Sequence, residues 1–117
     1  MANPFDPNTG SPVSKEEALG WIEKYDRELR PDKDIDTKSI FFGKDVLQKM
    51  LDGRAAGITF FLGLRYSEFA KKDVVNLILV PTADDGTLLW AGANPGALPN
   101  ADGAFDIGAP CPPYCPK

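Results

Sequence analysis

The sequence predicts an α+β fold, in which two N-terminal helices pack on a small, mainly antiparallel sheet of three to four strands. Three apolar runs between Gly57 and Gly92, separated by polar turn residues, have the pattern of a β-meander. Two amphipathic segments precede these runs, and an irregular arm rich in proline and glycine follows them. No other part of the chain has enough consecutive apolar residues to form the middle of a core, so we expect the rest to pack around this stretch.

The first predicted helix begins at a capping box. Ser14 is followed three residues later by Glu17, so the hydroxyl and the carboxylate can each bind an unpaired backbone N–H. Apolar side chains then recur at helical spacing until Pro31 ends the helix. We expect this stripe to be part of the core, and its members are Ala18, Trp21, Ile22, Tyr25 and Leu29.

The second predicted helix is shorter and ends at a glycine. Its narrow apolar stripe consists of Val46, Leu47, Met50 and Leu51. Gly53 is suited to end the helix in the left-handed conformation. Residues 40–42 form either a short extended segment or the first turn of this helix, and the aromatic side chains favour extension.

The first predicted strand alternates with period two. We expect one of its faces to be buried, namely the face of Ile58, Phe60, Leu62, Leu64 and Tyr66. Gly63 within this strand indicates a bulge or the close approach of another segment, unless the strand simply tolerates a glycine there. A polar loop then leads to a second strand at about residues 74–80, which is apolar on both faces and is therefore predicted to be central.

A tight turn follows the second strand. Asp84, Asp85 and Gly86 favour a hairpin, because an Asp-Gly pair readily adopts positive φ angles. The third strand is predicted at residues 87–91. After Gly92 the chain holds six of its eleven prolines, so we expect regular structure only near residues 104–107. Side chains that could anchor this arm on the domain are Leu98, Phe105, Ile107 and Tyr114.

The chain length favours one domain with two appendages. We predict a flexible tail over residues 1–13, a single α+β domain over residues 14–108 and a Cys/Pro-rich arm over residues 109–117. Of the 117 residues, 43% are hydrophobic and 26% are charged, as in ordinary globular proteins.

The net charge and the apolar runs disfavour two kinds of partner. A formal charge of -4 gives no attraction toward nucleic acid or an anionic membrane surface. No apolar run approaches the roughly 18 residues that a membrane-spanning helix needs. The N-terminal residues lack the basic and apolar regions of a secretory signal, which predicts a cytoplasmic protein if the sequence is the complete translated product.

The residue types that commonly carry catalysis are sparse. The chain has no histidine, which removes His-based triads, His metal sites and the usual general base near neutral pH. Phosphate-binding loops, dinucleotide fingerprints and nucleophile elbows are also absent. We therefore assign no catalytic residue, cofactor or metal site, and a non-enzymatic role is favoured.

The most distinctive motif is CPPYCP near the C-terminus. Cys111 and Cys115 are the two cysteines of the chain, and Pro112 and Pro113 stiffen the loop between them. Several interpretations remain open: unpaired thiols on a terminal arm, a local disulfide, half of a tetrahedral metal site, or a haem-responsive Cys-Pro motif. A thioredoxin-type active site is disfavoured, because it has two residues between its cysteines and lies at a helix start.

The order of these segments resembles that of small uncharacterised bacterial proteins. The shared features are a capped N-terminal helix, a FFGKDVLQKML-like second helix, a GITFFLGLRY-like strand and a closing CPPYC. The resemblance covers most of residues 13–115. It implies an α+β fold with a CPPYC-type ending, and it implies no activity and no functional residue.

Two functional hypotheses follow from the sequence. The first is a protein-interaction module, with Pro112, Pro113 and Tyr114 as a docking arm and with another protein or a second copy as the partner. The second is a thiol-based redox or metal-responsive protein that uses Cys111 and Cys115.

Overall fold

The structure is a computed structural model that describes residues 3–90 and 108–117. These residues form two helices and two antiparallel sheets of two strands each, which confirms the α+β class. The elements are α1 at Lys15–Leu29, β1 at Ser39–Phe41, α2 at Lys44–Leu51, β2 at Gly57–Ser67, β3 at Lys72–Thr82 and β4 at Ala109–Cys111. In the described residues, two separate sheets, β2–β3 and β1–β4, replace the predicted single sheet.

Helix α1 has the predicted bounds but not the predicted burial. The Ser14 hydroxyl accepts a hydrogen bond of 3.1 Å from the Glu17 N–H, which confirms the N-cap. No α1 residue is buried, and Trp21 and Leu29 are 61% and 67% exposed. The expectation that this stripe is part of the core is wrong, because the stripe borders open clefts instead of packed side chains.

Helix α2 provides the apolar contact with the β2–β3 hairpin. Met50 is 1% exposed, and the helix packs against both strands of the hairpin. Gly53 follows with φ 77°, which confirms the predicted left-handed residue after the helix.

The β2–β3 hairpin is regular along its whole length. Gly57 lies opposite Thr82 and Ser67 opposite Lys72, with no extra residue in either strand. Gly63 is therefore not at a bulge. A Cβ at this position would lie 2.7 Å from Cδ1 of Ile78, so the glycine accommodates a close approach, which is the other interpretation of the sequence.

The buried core lies at one end of this hairpin, which we call the closed end. Leu79 and Val80 are fully buried there, together with Met50 and Leu89. At the other end, next to the loop between the strands, the β2 face predicted to be buried is open: Leu62, Leu64 and Tyr66 are 78%, 72% and 52% exposed. Phe60, which lies opposite Leu79, is 54% exposed. The prediction of burial is wrong for this turn end, because a groove rather than packed side chains separates it from α1 and β1.

The predicted turn forms, but residues 87–90 of the predicted third strand contain only an isolated bridge, and residue 91 lies outside the described residues. The Ala83 N–H donates to the Thr87 carbonyl (2.9 Å), and Gly86 has φ 87°. Leu88 makes only an isolated bridge with Thr82. The ladder stops here because Pro81, the next residue along β3, has no N–H to donate.

The short strands β1 and β4 join distant parts of the chain. Ser39 lies opposite Cys111 and Phe41 opposite Ala109, so the extended interpretation of residues 40–42 is confirmed for its first two residues. The strand predicted near residues 104–107, and the anchors Leu98, Phe105 and Ile107, lie outside the described residues. Within the described ranges, no helix has the length and apolar character needed to cross a membrane.

Candidate functional site

An apolar groove lies between the turn end of the hairpin and the N-terminal elements. It has a volume of about 670 Å³. Tyr25 and Leu29 of α1 form one wall with Ile40 of β1. The floor and the opposite wall come from both strands of the hairpin and consist of Leu62, Leu64, Val75 and Leu77. The groove therefore presents an apolar surface that can exclude water from a second apolar surface.

Polar contacts hold the α1 wall in place. The Tyr25 hydroxyl donates to the Thr37 carbonyl (3.0 Å), which joins the helix to the segment before β1. Arg30 is 4% exposed, and its Nε donates to the Asp36 carbonyl (2.8 Å). Its guanidinium also binds the Asp26 carboxylate. Because these contacts are directional, they can keep the helix beside the groove without apolar packing beneath it.

One ion pair ties the hairpin to the same loop. Lys72 Nζ lies 2.7 Å from Asp36 Oδ1. The hydrogen bond from Lys72, together with one from the Asp32 N–H, holds the pKa of Asp36 below its ordinary value. The hydrogen bond from Arg30 and the charge of Lys33 likewise lower the pKa of Asp26. Both carboxylates are therefore held in their charged form near neutral pH.

The edge of β2 that faces away from β3 is a second feature of this region. In the part of the chain that the structure describes, β2 pairs with β3 alone, so its second edge carries no strand. Arg65 is the only charged residue in this 11-residue strand. A long strand edge with few charges is a template for pairing with another strand.

The two cysteines lie elsewhere, and a disulfide joins them. Cys111 and Cys115 have Cα atoms 4.5 Å apart. Cys111 ends β4 and is 4% exposed, whereas Cys115 is exposed. The Lys38 N–H donates to the Cys111 carbonyl (2.6 Å), which fixes the buried half of the disulfide against the segment before β1.

The remaining arm residues form the loop of the disulfide ring. Pro112 is half-buried, whereas Pro113 and Tyr114 are exposed and accessible to a partner. The Tyr114 N–H donates to the Pro110 carbonyl (2.8 Å), which turns the chain back toward Cys115.

A cleft of about 580 Å³ runs alongside this disulfide. Leu19 and Ile22 form its apolar side. Three basic residues, Arg30, Lys33 and Lys38, line it together with both cysteines, and among residues 3–90 and 108–117 no acidic side chain is part of the lining. The cleft therefore places the disulfide beside three basic side chains.

Sequence reasoning identified the cysteines but not their surroundings. Lys38 could not be placed beside Cys111 from the sequence, because their proximity depends on the β1–β4 pairing. The groove residues Leu62 and Leu64 were recognised as one face of a strand, but that face was interpreted as core. The period-two pattern correctly placed these residues on one face of the strand, but the prediction that this face is buried was wrong.

The comparisons with known proteins add no family to this description. No protein-family model, curated protein or solved structure matches the chain. The resemblance to small bacterial proteins of unknown function stays a prediction. Among residues 3–90 and 108–117, no group of three or more Cys, Asp or Glu side chains is arranged to hold a metal ion.

Proposed function

We propose that this protein is an interaction module that binds a second copy of itself through the apolar groove and the outer edge of β2. The observation that carries the proposal is the exposure of Leu62 and Leu64, at 78% and 72%, beside an apolar groove. Soluble monomers rarely expose a contiguous apolar surface of this kind, and such surfaces commonly mark interaction sites.

The outer edge of β2 determines how the two copies can pair, namely by adding one strand to the other. An added strand satisfies unpaired backbone groups, and its side chains extend the apolar face of the sheet. A two-stranded hairpin is also marginally stable by itself, so pairing with a second hairpin increases its stability. The product is a four-stranded sheet with the two β2 strands in its centre.

The sequence of β2 is complementary to itself in antiparallel orientation. When the twofold axis passes through Leu62, Phe60 of one copy lies opposite Leu64 of the other, and Phe61 lies opposite Gly63. The only charge, Arg65, then lies opposite the neutral Thr59. This register pairs apolar side chains with one another, places Phe61 beside a glycine and brings no like charges together, which favours a second copy over an unrelated partner.

Sedimentation equilibrium over a concentration series tests the proposal. We expect the wild type to form a dimer and Leu62→Arg to weaken it at least roughly tenfold, because the substitution puts two like charges opposite each other at the twofold axis. Leu51→Arg is the matched control. Leu51 is also exposed, at 43%, but it lies on α2 outside the groove, so dimerisation should be unchanged.

Two results would reject the proposal. The first is a wild type that stays monomeric at every concentration, and the second is equal weakening by the two substitutions. If the wild type is monomeric and Leu62→Arg also lowers its free energy of unfolding, the face is covered within a single chain.

A further inference from the structure

We infer that the cleft beside Cys111 and Cys115 is a site of thiol–disulfide exchange that accepts a small anionic thiol. The site adjoins the self-association groove proposed above, and Lys38 and Ser39 line both. It differs from the groove because the disulfide lines only this cleft, whereas Leu62 and Leu64 line only the groove. Three features support it together: a disulfide that lines a cleft, unequal exposure of its two sulfur-bearing residues, and charged lining residues that are all basic in the part of the chain that the structure describes.

The unequal exposure determines which sulfur is attacked. An incoming thiolate must approach one sulfur along the line of the S–S bond. Cys115 is exposed, whereas Cys111 is 4% exposed at the end of β4. The Cys115 sulfur is therefore the accessible target, and Cys111 is the leaving thiolate.

The basic residues determine which thiols are favoured. Asp26 pairs with Arg30 and Lys33, and Asp36 pairs with Lys72 and also acts on Arg30, so two carboxylates compensate three basic side chains. Lys38 makes no ion pair within the described part of the chain, and Asp26 acts on it only at longer range, so its side chain adds a further positive charge to the cleft. A thiol that carries additional carboxylates is attracted more strongly than an uncharged thiol of the same reactivity.

The reaction proceeds in two balanced steps. A thiolate attacks the Cys115 sulfur, the S–S bond breaks, and its electron pair leaves with Cys111, which becomes a thiolate. A second thiolate then attacks the outer sulfur of the mixed disulfide and releases the Cys115 thiolate. Two external thiols are thereby oxidised to one external disulfide, the protein disulfide is reduced, and the two protons released by the external thiols pass to the two cysteines.

The charge selectivity can be measured with two reductants. We would compare the rates of reduction of the native protein by glutathione, which carries two carboxylates, and by uncharged 2-mercaptoethanol at matched thiolate concentration. Lys38→Gln should lower the ratio of the glutathione rate to the mercaptoethanol rate by roughly three- to fivefold. Lys49→Gln, on α2 outside the cleft, is the matched control and should leave the ratio unchanged.

Salt provides the same test without a substitution. Raising the ionic strength should lower the same ratio in the wild type, because screening weakens the attraction of the additional charge. This measurement remains decisive if a variant fails to fold. A ratio that is insensitive to both salt and Lys38→Gln would overturn the role of the basic cleft.

The direction of attack is tested with single cysteine variants and glutathione disulfide. Cys115 in Cys111→Ser should form the mixed disulfide at least roughly tenfold faster than Cys111 in Cys115→Ser, as determined by intact mass after acid quenching. Equal rates, faster reaction at Cys111, or a native disulfide that glutathione does not reduce would each reject the site. Leu62→Arg should leave these rates unchanged, so failure of the dimer proposal and failure of this site are distinguishable.

Discussion

The two ends of the β2–β3 hairpin contain similar apolar side chains but are held in different ways. At the closed end, Leu79 and Val80 are fully buried and α2 contributes Met50. At the turn end, Leu62 is 78% exposed, and the Lys72–Asp36 ion pair links this end to the loop before β1. The comparison shows that the alternation of a strand defines its faces, whereas the neighbouring elements decide which part of a face is buried.

The largest expected effect is a difference between two identical substitutions. Leu79→Ala should lower the free energy of unfolding by about 2 to 5 kcal/mol, because it leaves a cavity at the closed end. Leu62→Ala should change it by less than about 0.5 kcal/mol in the monomer, because the side chain is already exposed. Urea unfolding followed by circular dichroism, at a concentration below dimerisation, measures both values.

Equal losses from the two substitutions would contradict the comparison, since they would show that the turn end is covered as completely as the closed end. Each substitution is the control for the other, because both remove the same side-chain atoms.

An intermediate effect is expected where β4 meets the wall of the groove. A Cβ at Gly108 would lie 2.5 Å from Cγ2 of Ile40 and 2.8 Å from the Phe41 carbonyl oxygen. Because the backbone oxygen cannot move aside independently, Gly108→Ala should displace β4 from β1 and cost about 1 to 3 kcal/mol. Chemical denaturation gives the loss.

Gly57→Ala is the control for this prediction, because a Cβ at Gly57 has no atom within 4 Å. If Gly57→Ala is as destabilising as Gly108→Ala, the loss arises from the backbone and not from crowding at Ile40.

The smallest effect is a local response of the turn end to acid. The folded state lowers the pKa of Asp36, mainly through the hydrogen bond from Lys72. The stabilisation is therefore complete above the unfolded-state value of about 3.9 and is lost as the pH falls through the lower folded-state pKa. Hydrogen exchange of amides near Tyr66 and Asp73 should then accelerate relative to amides near Leu79.

Asp36→Asn should remove most of this pH dependence, whereas Asp34→Asn in the same loop should preserve it. Uniform acceleration along the hairpin on acidification would show that the turn end is not held separately by the ion pair.

Local features of the fold were predictable from the sequence. Ser14 caps the start of α1 and Pro31 follows its end, Gly53 follows α2, and the Asp-Gly turn forms at residues 84–86. Each of these depends on a few neighbouring residues. The interruption after Leu88 was predictable in principle as well, since Pro81 lacks the donor that a third strand requires.

Long-range features were not predictable in the same way. The stripe of Trp21 and Leu29 has the pattern of a buried helix face, and only the position of α1 beside an open groove explains its exposure. The motif of Cys111 and Cys115 indicated thiol chemistry, but the basic residues of the cleft come from separate segments. Periodicity describes one element at a time, whereas a site depends on how elements are arranged.

The pairing of β1 with β4 has a consequence for the order of folding. The strands β2 and β3 are joined by residues 68–71 alone, whereas Phe41 and Ala109 meet only after the long chain between them has closed a loop. The entropy cost of closure grows with loop length, and contacts distant in sequence form more slowly. The hairpin is therefore expected to nucleate early, with the β1–β4 sheet assembling on it as a late event.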